Sequence, residues 1–275
     1  MRHRVSVSRG VRPSGSPRVS IVIPARNEAR NLEMVLPELP VVHQVILVDG
    51  HSVDDTIAVA RRVLPGITVV QQTRRGKGNA LACGFAAVTG DIIVMFDADG
   101  SADPAEIPTF VRALVDGGDV AKGSRYTGGG SSSDLTVIRS IGNRALNGLA
   151  NLAFGTAHTD LCYGYNAFWV DVLPMLNLPA IHLPASDNPG AQPAPAMVWG
   201  DGFEIETLIA CRVAACGLRV REVPSVERDR IHGESNLNAV RDGLRVLATI
   251  GAERRRATGR TTAVLPRPVT DGARR

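Results

Sequence analysis

Short apolar runs alternate with amphipathic segments over the first 126 residues of the chain. Five of these runs are rich in Val and Ile and end in polar or turn residues, a pattern typical of buried strands. They begin at Arg18, Gln44, Ile67, Asp91 and Asp119. The stretches between them have helical spacing and run to about 10–15 residues each. This alternation predicts an α/β fold with a doubly wound, mostly parallel sheet that has helices on both faces.

The second half of the sequence is less regular. A long helix is predicted over 136–155 and a final amphipathic helix over 236–250. The long helix should place one stripe in the core: Ile138, Ile141, Ala145, Leu149 and Leu152. The final helix carries a similar stripe: Leu237, Val240, Leu244 and Leu247. Between them, the Pro-rich segment 183–200 is long enough to form a lid or an acceptor-binding loop.

A second pattern runs along the long helix. Arg139, Asn143, Asn147 and Asn151 repeat every four residues, although Asn is a poor residue for a helix interior. Two interpretations stay open. The line is a solvated face, or Arg139 and Asn143 grip a phosphate together with Arg125.

The charge of the chain is divided between its ends and its middle. The formal net charge is +4, of which residues 1–18 contribute +5 and residues 254–275 contribute +6, leaving −7 for residues 19–253. We therefore expect an acidic folded domain over 19–250 between disordered basic tails at 1–18 and 251–275. Within that domain, 19–126 is the predicted nucleotide-binding half and 127–250 the acceptor-side half. An acidic domain predicts no nucleic-acid partner.

Cysteine usage and hydropathy bear on the compartment. The four cysteines form no CxxC pair, which favours a reducing, cytoplasmic environment. The N-terminal residues lack the apolar run of a secretory signal, and the chain has no stretch of 18 consecutive apolar residues. We expect a cytoplasmic protein, and the basic tails allow peripheral contact with the cytoplasmic face of a membrane.

Polar residues collect where the predicted strands end. The exits of the first, second and fourth strands carry 26–28, 49–52 and 97–99 respectively. Ligands of parallel α/β sheets bind beyond the carboxyl ends of the strands, so these residues should share one site. No GxGxxG follows the first strand, which argues against dinucleotide binding of the usual kind.

Asp97 and Asp99 form a candidate metal site. Side chains two apart on a strand point the same way, so both carboxylates should face one point. Mg²⁺ or Mn²⁺ suits such a pair, because these ions are usually held by one or two carboxylates together with substrate phosphates. Asp103, which precedes Pro104, is better explained as a helix cap.

Lys77 is a candidate anion-binding residue. It lies in the glycine-rich stretch RRGKGNAL at 74–81, just before a predicted helix whose N-terminus would favour a phosphate. A simple turn explains the same stretch equally well.

Together these motifs resemble a known family. Seven segments occur in order at suitable separations: VSIVIPARNE, VILVDGHSVDDT, RGKGNAL, FDADGSADP, GSRYTGGG, DLCYGYNAFW and RIHGESNL. Over residues 18–250 the chain is similar to family 2 glycosyltransferases of the GT-A fold, a Rossmann-like fold. It is most similar to the branch of dolichol-phosphate mannose synthases, which use polyprenyl phosphate acceptors.

The resemblance implies roles for individual residues. Pro24, Arg26 and Glu28 would line the nucleotide pocket, and Asp49 would meet the base or ribose. The segment Asp97-Ala98-Asp99 would be the D-x-D motif that holds Mg²⁺ or Mn²⁺ on the donor diphosphate. Arg230 would lie near that diphosphate. The implied ligands of the acceptor phosphate are Arg125, Arg139 and Asn143.

The expected reaction transfers a sugar, with inversion, from a UDP- or GDP-linked donor to polyprenyl phosphate in cell-envelope synthesis. Asp99 would lie at the catalytic centre, and Lys77 and Arg230 would lie beside the leaving group. A hydroxyl acceptor would need a base, for which Asp201, with Glu204 behind it, is the candidate. Asp201 equally suits a cap for a helix beginning near Phe203. Three alternatives are a soluble hydroxyl acceptor, a sugar nucleotidyltransferase and a non-catalytic sugar-nucleotide-binding protein.

Overall fold

The computed structural model of the chain describes residues 12–13, 15–133, 137–182, 197–233 and 239–262. The strands in these residues are β1 (Val19–Ala25), β2 (Gln44–Asp49), β3 (Thr68–Gln71), β4 (Ile92–Met95), β5 (Val120–Ser124), β6 (Ser131–Ser132), β7 (Asn166–Trp169), β8 (Val220–Pro224) and β9 (Val226–Glu227). The helices are α1 (Ala29–Val35), α2 (Thr56–Val63), α3 (Lys77–Ala86), α4 (Ile107–Val115), α5 (Val137–Phe154), α6 (Leu173–Leu176), α7 (Ile205–Ala215) and α8 (Ala239–Thr262).

Seven of these strands form one sheet in the order β3-β2-β1-β4-β7-β5-β8, and β6 pairs with β9 separately. Every neighbour pair in the main sheet is parallel except the two made by β7. The prediction of a mostly parallel α/β sheet is confirmed. The carboxyl ends of β2, β1 and β4 lie side by side, and strand order reverses between β1 and β4, which is the usual ligand position in such sheets.

The interior explains why the first five predicted strands form. β1, β2 and β4 are buried almost throughout, as expected for parallel strands covered on both faces. An aromatic group anchors the region below the end of β4. Phe110 stacks on Tyr165 at 4.3 Å between ring centroids, and Phe96 meets Tyr165 edge-on at 5.4 Å. The Tyr165 hydroxyl also donates to the Asp103 carbonyl at 3.0 Å, which ties this cluster to the loop that follows β4.

The strand β7 is an element that hydrophobic periodicity did not predict. It inserts antiparallel between β4 and β5, with Ala167 opposite both Val94 and Ala121. With only four residues, all buried and the first an Asn, the segment has too little alternation to be recognised. Its insertion joins strands of the two predicted halves in one sheet.

The predicted core stripes of the last two long helices are wrong where the structure describes them. Ile141, Ala145, Leu149 and Leu152 of α5 face outward, as do Leu244 and Leu247 of α8. The predicted side chains of Ile138, Leu237 and Val240 lie outside the described residues. The inner faces instead meet in a small cluster shared with α7: Ala150, Leu161, Cys211, Val246 and Ile250.

The solvated-face interpretation of the asparagine line is also wrong. Asn143 and Asn147 are buried, and Asn147 and Asn151 both donate to the His158 carbonyl. The asparagines therefore secure the segment after α5. Periodicity showed two faces on this helix but did not identify which one the fold covers.

Residues of both predicted tails, 1–18 and 251–275, form ion pairs with the domain. α8 continues to Thr262, and Glu253 pairs with Arg212 of α7 at 2.7 Å. At the other end, Arg12 pairs with Asp119 at 2.8 Å and lies over the Trp169 ring. These ion pairs fix the positions of Arg12 and Glu253, which the prediction of disordered tails did not include.

Two further observations concern the compartment and the membrane. The cysteines Cys83, Cys162, Cys211 and Cys216 are free thiols. Among the described residues, no helix combines the length and the apolar character needed to cross a bilayer.

Candidate functional site

The end of β4 presents two carboxylates, and each of them meets a cation. Asp97 pairs with Lys77 at 2.8 Å, and Asp99 pairs with Arg230 at 3.2 Å. Asp99 also accepts hydrogen bonds from the backbone N–H and the hydroxyl of Ser101, at 3.0 and 2.7 Å. Ala98 between them is buried. The exit of β4 thus displays two partly exposed carboxylates flanked by a lysine and an arginine.

Lys77 has a second partner that sequence reasoning missed. Glu206, near the start of α7, pairs with it at 2.8 Å and is buried. Burial alone would lower the pKa of Lys77, but the charges of Asp97 and Glu206 raise it well above the ordinary lysine value. Lys77 is therefore a permanent cation at the carboxylate pair. The only sequence signal for Glu206 is its place in the segment WGDGFEIE, together with Asp201 and Glu204.

Arg230 links this edge to a cleft at the end of β1. Its guanidinium reaches Glu28 at 2.8 Å as well as Asp99. The cleft has a volume of about 440 Å³, and its lining includes Arg26, Asn31 and His232. Asn31 donates to Glu28 and to the His232 carbonyl, which joins the segment around 232 to α1. Arg26, Glu28 and Arg230 are therefore brought together as predicted.

Asp49 lies deeper than expected, whereas Pro24 is partly exposed. Asp49 is buried and accepts a hydrogen bond from the Ser52 N–H at 3.2 Å. This hydrogen bond orders the turn after β2, where His51 has a φ of 57°. Pro24 lies within β1 beside Val48. Both residues support the floor of the site in this structure, and a contact of Asp49 with a ribose stays a prediction.

Asp201 forms a buried ion pair and does not cap α7. Its carboxylate is 1% exposed and pairs with Arg74 through both oxygens, at 2.7 and 2.9 Å. It also accepts from the Val198 N–H. The helix α7 begins at Ile205, with Glu204 at the cap position, so the helix-cap prediction is wrong. Because both of its oxygens are paired with Arg74 in this structure, the assignment of Asp201 as a general base stays a prediction.

The N-terminus of α3 is closed by the same residue. The N–H groups of Gly78 and Asn79 donate to the Asp201 carbonyl, at 2.7 and 3.3 Å. A Cβ on Gly78 would lie 1.9 Å from the Gly200 carbonyl, so only glycine permits this approach. The predicted phosphate at this helix end is therefore not supported, because a backbone carbonyl already uses its donors. Lys77 acts through its side chain alone.

The predicted phosphate-binding set is arranged as an ion-pair network. Arg125 pairs with Asp160 at 2.7 Å and with Glu227 at 3.0 Å, and it lies over the Tyr163 ring. Asn143 donates to the same Asp160 at 3.0 Å. Arg125 and Asn143 thus lie together as predicted. Two carboxylates neutralise Arg125 in this structure, so its binding of an acceptor phosphate stays a prediction, and the side chain of Arg139 lies outside the described residues.

The carboxylate pair has the right chemistry for a divalent cation. Within the described residues, no group of three or more His, Cys, Asp or Glu side chains is placed to hold a metal ion. A pair of carboxylates is nevertheless the usual protein contribution to a Mg²⁺ or Mn²⁺ ion whose other ligands are phosphate oxygens and water. Asp97 and Asp99 therefore fit a metal that arrives with a phosphorylated ligand.

Fold and site together define a class. The mostly parallel α/β sheet has two acidic residues at its switch point, with two adjacent cations and a polar cleft. This combination is typical of proteins that bind a nucleotide diphosphate. The profile of the family described as "Glycosyl transferase family 2" matches residues 20–173. The chain belongs to this family.

Curated relatives match only part of the chain. An uncharacterized glycosyltransferase of Mycobacterium tuberculosis is 39% identical over 107 residues, which are 39% of this chain and 48% of that protein. The dolichol-phosphate mannosyltransferase of Pyrococcus furiosus is 31% identical over 132 residues, 45% of this chain and 38% of that protein. The chain thus spans about half the length, or less, of these relatives.

Solved structures share the fold over most of the chain. Glucosyl-3-phosphoglycerate synthase from Mycobacterium tuberculosis, crystallised with Mn²⁺, UDP and phosphoglyceric acid, is 22% identical with a TM-score of 0.63. The match covers 86% of this chain and 78% of that one. The same enzyme with Mg²⁺ and UDP gives a TM-score of 0.64 at 21% identity, over 87% and 80% of the two chains. The GT-A fold expected from the sequence is confirmed.

Proposed function

We propose that the protein is an inverting glycosyltransferase that moves a sugar from a nucleotide-diphosphate donor to a polyprenyl phosphate. The observation that carries the proposal is the end of β4, where Asp97 and Asp99 lie between Lys77 and Arg230. In such a site the carboxylates attract a metal ion, and the lysine and arginine attract a departing diphosphate. A protein that only bound the sugar nucleotide would not need this full set.

The nucleotide has a place beside these groups. Arg26, Glu28 and Arg230 contribute to the cleft at the end of β1, which leads by way of Arg230 to Asp99. We assign the nucleoside to this cleft and the diphosphate to the region between Lys77 and Arg230. That arrangement leaves the sugar beyond the end of β4, with its far face open to an acceptor.

Lys77 and Arg230 would stabilise the charge that develops on the leaving diphosphate. Negative charge builds up on the diphosphate as the bond to the sugar breaks, and fixed positive charge stabilises it most in a partly buried site. Lys77 is held as a cation by two carboxylates, and Arg230 by Glu28 and Asp99. Asp97 and Asp99 would hold Mg²⁺ or Mn²⁺, which supplies Lewis-acid stabilisation of the leaving group when bound.

A phosphate acceptor fits the buried ion pair that Asp201 forms with Arg74. A phosphate is ionised near neutral pH and needs no base to attack, whereas a hydroxyl does. While both oxygens of Asp201 are paired with Arg74, it is not free to act as a base, which favours the ionised acceptor. The similarity to a dolichol-phosphate mannosyltransferase supports the same choice.

A soluble phosphorylated acceptor is the second candidate. It is favoured by the likeness to glucosyl-3-phosphoglycerate synthase, which extends over 87% of this chain in the complex with phosphoglyceric acid alone. That protein carries its acceptor without a lipid, so the same fold accommodates either kind.

The test offers the purified full chain a panel of UDP- and GDP-sugars, with Mn²⁺ or with EDTA. Each reaction contains a short-chain polyprenyl phosphate, 3-phosphoglycerate or no acceptor. We expect Mn²⁺-dependent sugar in the organic phase with one donor and the lipid phosphate. Product only with 3-phosphoglycerate would replace the lipid acceptor with the soluble one. Absence of both products and of donor hydrolysis would contradict the enzymatic proposal.

The matched variants are Asp99→Asn and Asp103→Asn. Both replace an aspartate by its amide in the same loop, but Asp103 caps the turn at Pro104 and pairs with Arg228. We expect Asp99→Asn to lower turnover by about 100-fold or more. Asp103→Asn should stay within about threefold of the unsubstituted protein, because its role is structural.

A further inference from the structure

The outer sides of α5 and α8 carry exposed apolar side chains where a soluble domain usually carries polar ones. The exposed fractions are 62% for Ile141, 46% for Leu149, 84% for Leu152, 63% for Leu244 and 45% for Leu247. At 3.6 residues per turn, the three on α5 lie on one side of that helix, and the two on α8 lie on one side of theirs. We call these five residues the α5–α8 outer face.

The two helices form one layer. They pack against each other and share the inner cluster that contains Ala150, Val246 and Ile250. Since both turn their inner sides to this cluster, the exposed apolar side chains lie on the sides of two packed helices that face away from it.

The charged residues of this layer have one sign on the outside. α5 contains no Asp or Glu, and the only acids of α8, Asp242 and Glu253, are buried. The arginines Arg144, Arg254 and Arg255 are exposed. Arg254 and Arg255 lie two turns after Leu247 on the same side of α8. Among the side chains of α5 and α8 that the structure describes, the exposed charged ones are therefore all arginines, and an apolar surface beside them complements a surface that is apolar within and negative outside.

We propose that the α5–α8 outer face docks the protein onto an anionic phospholipid bilayer, with the leucines among the acyl chains and the arginines at the headgroups. Helices that lie in the plane of an interface have this division, an apolar side with arginine or lysine at its margin. The inference rests on the proposed function, since a lipid-linked acceptor must be met at a membrane. It adds the surface and the lipid charge that would achieve the encounter.

The position of the face suits that encounter. Asn143, on the inner side of α5, donates to Asp160 in the network around Arg125, so α5 separates the outer face from the acceptor side of the domain. Docking along α5 would place the bilayer one helix away from that network. The helices need no rearrangement, because the apolar side chains are already outside.

The experiment measures sedimentation of the full chain with unilamellar vesicles, without donor or acceptor. One set is phosphatidylcholine, and the other contains about one third phosphatidylglycerol. The double variant Leu152→Gln/Leu244→Gln removes the two most exposed apolar side chains of the face. The control Val41→Gln/Val115→Gln replaces apolar side chains that are 105% and 55% exposed on other elements.

We expect binding to the anionic vesicles to exceed binding to phosphatidylcholine, and the leucine variant to reduce it by about tenfold or more. The valine control should bind like the unsubstituted protein. Arg254→Gln and Arg255→Gln should each weaken binding by about fivefold, and added salt should have the same direction of effect.

Three results would overturn the proposal. The unsubstituted protein could remain in the supernatant with anionic vesicles, or the leucine variant could bind as well as the control. In the third case, light scattering would find a dimer that the leucine substitutions dissociate, which assigns the face to a second copy of the chain. Because no substrate is present, failure here leaves the transfer assay unaffected, and failure of transfer to lipid phosphate leaves the binding result standing.

Discussion

Lys77 holds the candidate site together at the scale of single residues. It is the shared partner of Asp97, which is partly exposed, and of Glu206, which is buried. Burial raises the pKa of Glu206 even though Lys77 opposes that shift. Burial of the Glu206 carboxylate costs free energy, and the ion pair with Lys77 offsets part of that cost. Such paired, buried charges are common at functional sites.

Replacement of Lys77 tests this balance. Lys77→Met should lower the free energy of unfolding by about 3 kcal/mol, because it leaves the carboxyl group of Glu206 buried without its cation. The double variant Lys77→Met/Glu206→Gln should regain about 1–2 kcal/mol of that loss, since the unpaired carboxyl group is gone. Urea unfolding of the three proteins measures both changes. Equal midpoints for Lys77→Met and the unsubstituted protein would show that the pair contributes nothing.

Asp201 gives a second prediction at this scale. If its role is to hold Arg74, Asp201→Asn should lower both the melting temperature and the turnover, with a stability loss of about 3 kcal/mol for a broken buried pair. A general base would behave differently, since its amide would abolish turnover with the melting temperature unchanged. Thermal unfolding and steady-state rates on the same samples separate these cases.

Asp160 predicts a response to acid. Burial raises the pKa of Asp160, but its hydrogen bonds and ion pair with Arg125 outweigh this and hold it below the ordinary value of 3.8. The folded state therefore binds fewer protons than the unfolded state in acid, so the free energy of unfolding should fall progressively below about pH 5. Urea midpoints measured at neutral and acid pH should fall less steeply for Asp160→Asn, and parallel slopes would contradict the assignment.

Individual residues also show how far sequence reasoning reaches. Asp97 and Asp99 were identifiable because the strand pattern and the exit rule are local, although β4 ends at Met95 and strand alternation does not extend to them. The predicted cap at Asp103 is also local and is confirmed. Glu206 and the pairing of Arg74 with Asp201 were not identifiable, because they join positions far apart in sequence, 127 residues in the second case. Only the sheet brings such residues together.

At the scale of elements, α5 and α8 separate what periodicity can and cannot predict. Both helices were predicted, yet the described residues of their predicted apolar stripes lie outside. The buried polar residues are Asn143, Asn147, Asp242, Thr249 and Glu253. Each buried polar group has a reason in its partner, as with Asn143 and Asp160 or Glu253 and Arg212. The sequence pattern predicts a helix with two different sides, but which side is buried depends on the elements that pack against it.

The end of α8 provides the element-scale prediction. A chain that stops after Ile250, at the predicted domain boundary, loses Glu253 and leaves Arg212 buried without its carboxylate. We expect a loss of about 2–4 kcal/mol in the free energy of unfolding relative to the full chain. A chain that stops after Thr262 keeps the pair and is the control. Equal urea midpoints for the two truncated chains would restore the shorter boundary.

At the scale of the whole molecule, one sheet unites residues from the entire chain. β7 and β8 come from the second half and flank β5 from the first, while β1, β2 and β4 carry the donor side. A ligand that bridges the cleft and the end of β4 should therefore stabilise the complete domain and not one part of it.

Thermal unfolding tests that coupling. UDP or GDP together with Mn²⁺, at about a hundredfold excess over the dissociation constant, should stabilise the domain by about 2.7 kcal/mol. This corresponds to a rise of roughly 5–10 °C in a single transition. Asp99→Asn should reduce the rise, and EDTA should remove the metal-dependent part. An unchanged melting temperature with both nucleotides would contradict the assignment of the cleft.

Arg74 has a consequence for how this protein can change. Its guanidinium donates to the carbonyls of Ala180 and Ile181 and also to the carboxylate of Asp201, so one side chain joins the described residues on both sides of the Pro-rich segment 183–196. Substitutions within 183–196 should therefore leave the residues around Asp97 and Asp99 in place, because Arg74 holds both flanks of that segment together.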